Sequence, residues 1–350
     1  SGFETQWNNI GSTSNKGIEM LLQGDIINSD NFRLSANLNF GINKANIDEL
    51  DGTDERFFQS NWSSTDLKDR DDYYLAVGRT VGLIYGYTND GMYTEDDFES
   101  YDEVSGTYTL KDGVPDNKNT LGVPNLRPGY MKLADLNNDT IIDSQDRSVI
   151  GSALPKATGG FGLDASYKGF DASILFTWSY GNDIYNSGKI DYSQIYRTTY
   201  GNMLNTMNSD NRYTYIDIDG SITGEAVAVV TDLDQLRQLN EGKTIWSGNN
   251  SFGRATTVLS DWAIEDGSFL RLSMATIGYT IPENITRKIG MSQCRIYATG
   301  YNLWLFTKYS GYDPEVSTSR SSGYPALTPG LDYSSFPRSR AYTIGLNITF

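Results

Sequence analysis

Tyr342-Thr343-Ile344-Gly345-Leu346-Asn347-Ile348-Thr349-Phe350 closes the chain, its apolar Tyr342, Ile344, Leu346, Ile348 and Phe350 alternating with small or polar residues. A period of two places the two sets on opposite faces of a β-strand. Such a strand fits the border of a soluble sheet. An apolar face that ends on an aromatic also fits the last strand of a membrane barrel.

Upstream, the same alternation recurs. Phe32, Leu34, Ala36, Leu38, Phe40 and Ile42 form one face of a strand, preceded by Ile18, Met20, Leu22 and Ile26, with Asn28, Ser29 and Asp30 as the turn between them. Phe161, Leu163, Ala165 and Tyr167 lead through Lys168-Gly169 to Phe170, Ala172, Ile174, Phe176 and Trp178, a hairpin that keeps all nine on one face. A third pair, 268–281 and 294–307, alternates less cleanly around Pro282 and Gly290. The expected strands lie near 17–27, 31–44, 157–167, 169–181, 268–281, 294–307 and 340–350.

Composition narrows the class. The chain has 350 residues, 38% of them hydrophobic, and no apolar run near the ~18 residues of a transmembrane helix, so any span is made of strands. The 24 Tyr and 35 Gly suit amphipathic strands with interfacial aromatics. A net charge of −16 repels phosphate backbones and excludes nucleic acid as a partner. Without histidine, Ser-His-Asp and Cys-His nucleophiles and imidazole zinc sites cannot be assembled. Cys294 is the sole cysteine and forms no internal disulfide.

Connection lengths alternate: short near 28, 168 and 285, long over 45–156, 182–267 and 308–339. Short turns on one rim and long loops on the other are the pattern of an outer-membrane barrel, and loops this long are rare inside compact soluble domains. Long loops face outside, so the terminal strand runs inward to a periplasmic C-terminus. Seven strands entered from outside are an odd number, so further strands are expected before Ser1, where no basic-then-apolar leader is seen. The expected fold is therefore all-β, the C-terminal part of a transmembrane antiparallel β-barrel with long extracellular loops.

Several motifs, in order, carry a resemblance. They are Asn15-Lys16-Gly17-Ile18-Glu19, Val77-Gly78-Arg79 through Gly82-Leu83-Ile84-Tyr85-Gly86-Tyr87, Asp135 to Asp146, and Tyr180-Gly181-Asn182-Asp183-Ile184-Tyr185. Asp266-Gly267-Ser268-Phe269-Leu270-Arg271-Leu272, Gly278-Tyr279, Asn302-Leu303 and Gly311-Tyr312-Asp313-Pro314-Glu315 follow. The series resembles the C-terminal portion of the SusC/RagA-like TonB-dependent transporters of Bacteroidetes. The resemblance implies a roughly 22-stranded outer-membrane barrel with a plug, energised by TonB through that plug. It further implies a SusD-like surface lipoprotein as a lid, import of glycans or peptides, and a dimer of transporter-lipoprotein pairs. Plug, TonB box and earlier strands are absent from these 350 residues.

Asp135, Asn137, Asp139, Ile141, Asp143 and Asp146 occupy positions 1, 3, 5, 7, 9 and 12 of a calcium-loop spacing, with the carbonyl of Ile141 as the donor at 7. Thr140 stands where such loops carry Gly, and Asp146 where they carry Glu. The expected role of Ca2+, or another hard cation, is to stiffen an extracellular loop; the alternative is an acidic turn whose side chains cap backbone amides. Trp62, Tyr85, Tyr87, Tyr185, Tyr192, Tyr196 and Trp246 in the long loops are candidates for contact with substrate or lid, against the alternative of packing the loops together. Tyr167, Phe170, Trp178, Tyr180, Tyr279, Trp304 and Phe306 sit near strand ends, where an interfacial girdle belongs. Tyr342, Ile344, Leu346, Ile348 and Phe350 cover lipid and resemble the signal read by the barrel assembly machinery. Asp71-Asp72 and Asp96-Asp97 offer paired carboxylates, but among 44 acidic residues such pairs arise freely, and transport rather than catalysis is expected. A structural or adhesive barrel, or a passive porin, is the alternative.

Overall fold

A computed structural model describes residues 11–62, 71–194, 202–248, 258–318, 325–333 and 335–350. Seven long strands form one sheet: β1 (Gly11–Asn28), β2 (Phe32–Leu50), β3 (Ala157–Tyr167), β4 (Phe170–Tyr180), β5 (Phe269–Thr280), β6 (Gln293–Thr307) and β7 (Ala341–Thr349). They lie side by side in chain order, each antiparallel to the next.

The register carries the sequence alternation across the sheet. Phe32, Tyr167, Phe170, Tyr279, Ile296 and Leu346 form one cross-strand row, and Leu22, Leu38, Phe161, Phe176, Leu272 and Trp304 another. Between them runs a polar row on the opposite face, Asp25, Ser35, Asp164, Ser173, Thr276, Thr299 and Thr343. A slip of one residue in any strand would exchange the faces. The apolar face is bare: Ile18 is 70% exposed, Trp304 62% and Ile344 84%. In water such a surface is unfavourable; against hydrocarbon it is the required one.

Turn chemistry fixes the tight rim. Lys168 and Gly169 both take positive φ, 46° and 90°, the conformation a two-residue hairpin turn demands. The connection after β5 is two short helical turns ending at Gly290, φ 77°. The irregular alternation of β5 and β6 has a physical cause: the register shifts between Leu272 and Met274, where Asn302 adopts φ 52° and donates from Nδ2 to the carbonyl of Ser339, 3.0 Å. β1 and β2 also run past the expected ends, β1 starting at Gly11 and β2 reaching Leu50. At ~3.3 Å per residue both outrun a bilayer span, and their polar ends pair backbone to backbone beyond the apolar band.

Polar groups on the inner face are matched across strands. Arg295 of β6 reaches Asp171 of β4 at 2.5 Å, and the pair crosses directly over Gly278 of β5, where an added Cβ would stand 2.6 Å from the guanidinium and 2.7 Å from the carboxylate. Glycine is what lets the bridge span three strands.

The hydrophobic core lies in the long connections rather than on the sheet. Tyr87, Tyr93, Phe98, Leu133 and Ile142 anchor one buried cluster; Trp62, Tyr73, Ile84, Tyr185 and Leu331 anchor a second that draws on all three long connections. Buried tyrosines need partners for their hydroxyls, and those bonds lock one connection to another. Tyr73 donates to the carbonyl of Pro329 at 2.7 Å, and Tyr108 to that of Thr231 at 2.8 Å. The last connection is pinned to the wall by Arg271 of β5, which contacts Asp313 at 2.6 Å and Glu315 at 2.8 Å. Arg271 and Asp313 are both buried.

Arg271→Ala would leave the buried Asp313 charge unpaired, a loss on the order of 3–5 kcal/mol. Limited proteolysis should then open cut sites in 308–318, with Arg271→Lys partly protected; an unchanged digestion pattern would remove the pin from this account.

Asp72 is fully buried between the first two loop strands, accepting from the backbone N–H of Ser60 at 2.7 Å and from its hydroxyl. Burial pushes its carboxyl up to about 7, against the opposing pull of the Ser60 hydrogen bonds and the Arg147 charge. A folded-state value above the unfolded one means that stability is greatest in acid. It falls between about pH 4 and pH 7, by roughly a few kcal/mol, and levels off above. Thermal unfolding of the loop body across that range should show this slope, and Asp72→Asn should flatten it.

Candidate functional site

The three-stranded ribbon Asp183–Asn186, Ile264–Asp266 and Leu331–Asp332 joins the second and third long connections, with Asp183–Asn186 in the centre. It places Asn186, Glu265 and Asp332 at the edge of a cleft of about 1280 Å³. Such a volume exceeds the usual few-hundred to ~1000 Å³ of a small-molecule pocket. Tyr192, Trp246, Trp262, Tyr312 and Phe336 supply aromatic surface, and Lys189, Asn211, Ser310 and Ser335 supply polar groups.

Local sequence explains how these side chains are held. Asn186 caps the short helix Ser187–Asp191, its Oδ1 accepting from the N–H of Lys189 at 3.3 Å. That helix presents Lys189 to Glu265 at 3.3 Å and over the ring of Trp262 at 4.5 Å. Glu265 also accepts from the Ser310 N–H at 2.7 Å, the Ser310 hydroxyl at 2.8 Å and the Asn186 amide at 3.2 Å. Burial works to raise its carboxyl, and the Ser310 hydrogen bonds with the Lys189 charge overcome that and hold it below the usual range. Tyr309 donates to Asp332 at 2.5 Å, and Trp246 meets Trp262 edge to face with centroids 4.6 Å apart. The charges therefore satisfy one another, leaving aromatic faces beside hydrogen-bonding groups. Phe336 and Tyr312 stand out from the rim, 96% and 78% exposed.

Of the loop aromatics singled out from sequence, Tyr192 and Trp246 line the cleft. Trp62, Tyr87 and Tyr185 correct the expectation of substrate or lid contact. All three are buried, Trp62 donates its indole N–H to the Tyr185 hydroxyl, and neither ring has a free face to offer. Tyr85 stacks on Tyr74 at 5.5 Å and lies under Arg147 at 4.6 Å, outside the cleft lining. Tyr196 lies outside the described residues. Trp262, Lys189, Glu265 and Phe336 went unrecognised in the sequence; Tyr312 had a signal in the Gly311–Glu315 motif, whereas Trp262 joins the site only through the ribbon.

The Asp135–Asp146 loop folds its acceptors inward. Asp135 accepts from the N–H groups of Asn138, 2.7 Å, Asp139, 3.3 Å, and Thr140, 2.7 Å. Asn137 bonds Asp139, Asp139 accepts from the N–H of Ile141 at 2.8 Å, and Asp143 from that of Gln145 at 2.7 Å. Buried Asp146 ties the ends together through the N–H groups of Leu136 and Asp143, both 2.9 Å. Thr140 takes φ 65°, the left-handed conformation for which calcium loops use glycine. The donor set is of hard oxygens, as a cation of this class requires, while among the described residues no three carboxylates, cysteines or histidines gather as a metal-holding group. None of these residues lines the cleft. Tyr342, Ile344, Leu346, Ile348 and Phe350 are exposed together on the apolar face of the sheet.

No family model matches the chain. It is similar to "TonB-dependent receptor P3" of Formosa agariphila, 30% identical over 351 residues, which is 100% of this chain and 30% of that protein. It is also similar to "TonB-dependent receptor SusC" of Bacteroides thetaiotaomicron, 24% identical over 98% of this chain and 27% of that protein. The chain thus spans about 30% of the length of the curated relatives it matches. Among solved structures, that of the RagAB peptide transporter superposes with a TM-score of 0.63 at 19% identity, covering 100% of this chain and 31% of the other. Over its whole length the chain is thus similar in sequence to TonB-dependent receptors, SusC among them, and in fold to the RagAB transporter.

Proposed function

We propose that this chain supplies part of the outer-membrane wall and the external mouth of an energised nutrient importer. The observation that carries this reading is the union of a bare apolar sheet face with a wide aromatic cleft among the long connections. The wall faces lipid, the long connections face the medium and the C-terminus faces the periplasm. The barrel assembly machinery reads Tyr342, Ile344, Leu346, Ile348 and Phe350, TonB acts through a plug outside this chain, and a SusD-like lipoprotein covers the mouth. The cargo is an oligosaccharide or a peptide, whose faces stack on Trp246, Trp262 and Tyr192 while Asn211, Ser310 and Ser335 bond its polar groups. The names of the relatives are those of receptors and transporters, in keeping with a non-catalytic role.

Replacing Trp246 and Trp262 together with Ala in the full-length receptor should lower cargo uptake by roughly tenfold or more while leaving surface abundance unchanged. Uptake that persists without TonB would mean a passive pore, and binding without uptake an adhesive barrel.

We propose further that the Asp135–Asp146 loop takes a structural Ca2+, a reading favoured by the left-handed Thr140 at its sixth position. Replacing Asp139 and Asp143 together should expose protease sites within 45–156, and a chelator should do the same to the unaltered protein. Protection that is indifferent to both would leave a metal-free acidic turn.

A further inference from the structure

After β5 the chain makes two short helical turns, Glu283–Thr286 and Arg287–Ile289, before β6 begins at Gln293. Cys294 has the apolar parity of β6, paired with Ile348 of β7 and two residues before Ile296. Ile348 and Ile296 are 41% and 47% exposed, and even the smaller Ala298 on the same face is exposed, yet Cys294 is only 5% exposed. The outer face of the wall is therefore covered at this point. The helix Glu283–Thr286 lies against β6, and Thr286 is buried as Cys294 is. The connection thus folds back over the lipid side of the wall instead of projecting away from the rim.

Residues four apart share a flank of a helical turn. Beside the buried Thr286, Ile285 and Ile289 form an apolar flank, and both are exposed. Glu283 and Arg287 form a charged flank, the Arg287 Nε donating to Glu283 at 2.8 Å. Glu283 is the one acidic residue of 282–291, so its charge is matched. Lys288, exposed and without an ion-pair partner among the described residues, is then a surplus cation in a chain of net charge −16. The neighbouring turn supplies a second. The Gly169 carbonyl accepts from the Thr280 N–H at 2.8 Å, which sets the two connections side by side, and Lys168 lies over the outward ring of Tyr167 at 5.2 Å. An exposed apolar flank is unfavourable in water, but this one continues the bare apolar face of the wall. Apolar residues on that side with cations at the edge are the arrangement of a segment that lies in a membrane interface.

We propose that the 282–291 connection is a docking surface for anionic phospholipid in the periplasmic leaflet. Ile285 and Ile289 enter the acyl boundary, and Lys288 with Lys168 draws in the phosphate-bearing headgroups. The inference rests on the reading of the sheet as a membrane wall with a periplasmic C-terminus. Anionic lipid beside the connection would exceed zwitterionic lipid by about fivefold, an excess screened by salt.

The test uses the full-length receptor, its native cysteines replaced, in bilayers that carry phosphatidylglycerol or phosphatidylcholine with a doxyl quencher near the headgroup end of the acyl chain. The fluorophore NBD is attached at Asn284→Cys, which leaves both isoleucines and both lysines in place, and in a separate sample at Ile277→Cys, on the apolar face of β5. The expected result is quenching at both positions. At 284 the phosphatidylglycerol should be more effective by about fivefold, a preference lost in the Lys168→Gln, Lys288→Gln double variant and at high salt. Quenching at 277 without quenching at 284 would overturn the docking surface and leave the wall standing. Equal quenching at 284 by the two lipids in the otherwise unaltered protein would overturn the anionic assignment. A label at 277 that neither lipid reaches would overturn the wall, and the docking surface with it.

Discussion

Backbone amides and carbonyls that face hydrocarbon have no water to bond, so each must find its partner in the next strand. That constraint governs the wall. Seven neighbours in chain order satisfy it with tight connections at one rim, and the alternation of side chains follows the pleat, apolar out and polar in. Because the period is two, the register that satisfies the backbone is the same one that keeps Trp304, Ile277 and Ile344 off the polar face. At the bulge between β5 and β6 the left-handed Asn302 absorbs the extra residues and leaves the rows on either side intact.

With the outer face given to lipid, the sheet has no apolar surface left for a core. The long connections must therefore build their own, and they do so with tyrosine. A tyrosine ring fills volume as a phenylalanine does, but its hydroxyl demands an acceptor, and the acceptors lie in other connections: Tyr73 on Pro329, Tyr108 on Thr231, Tyr309 on Asp332. Hydrophobic packing draws the segments together and the hydroxyls select one arrangement of them. Arg271 then ties that body to the wall through Asp313 and Glu315, so the cleft is held at a defined place above the strands.

The cleft itself is electrostatically quiet in a strongly acidic chain. Lys189 neutralises Glu265, Ser310 occupies the remaining carboxylate oxygens, and the Tyr309 hydroxyl engages Asp332. What remains for a ligand is aromatic surface and neutral hydrogen-bonding groups, a combination that suits sugar rings and peptide bonds better than anions. In the Asp135–Asp146 loop, outside the cleft, backbone amides hold the carboxylates.

Alternation, turn residues and connection lengths are local properties, so the sequence by itself determined the seven strands, their hairpins, the apolar face and the rim from which the long connections rise. Thr140 in place of glycine did not hide the acidic loop, because the spacing of its oxygens is also local. The fate of the loop aromatics was not legible in this way. Trp62, Tyr87 and Tyr185 look no different in sequence from Tyr192 and Trp246, and which of them is buried depends on contacts more than a hundred residues apart, such as Trp62 with Tyr185. Only the tertiary structure decided these, because burial is a property of what packs against a side chain, and in this chain the partners come from different connections.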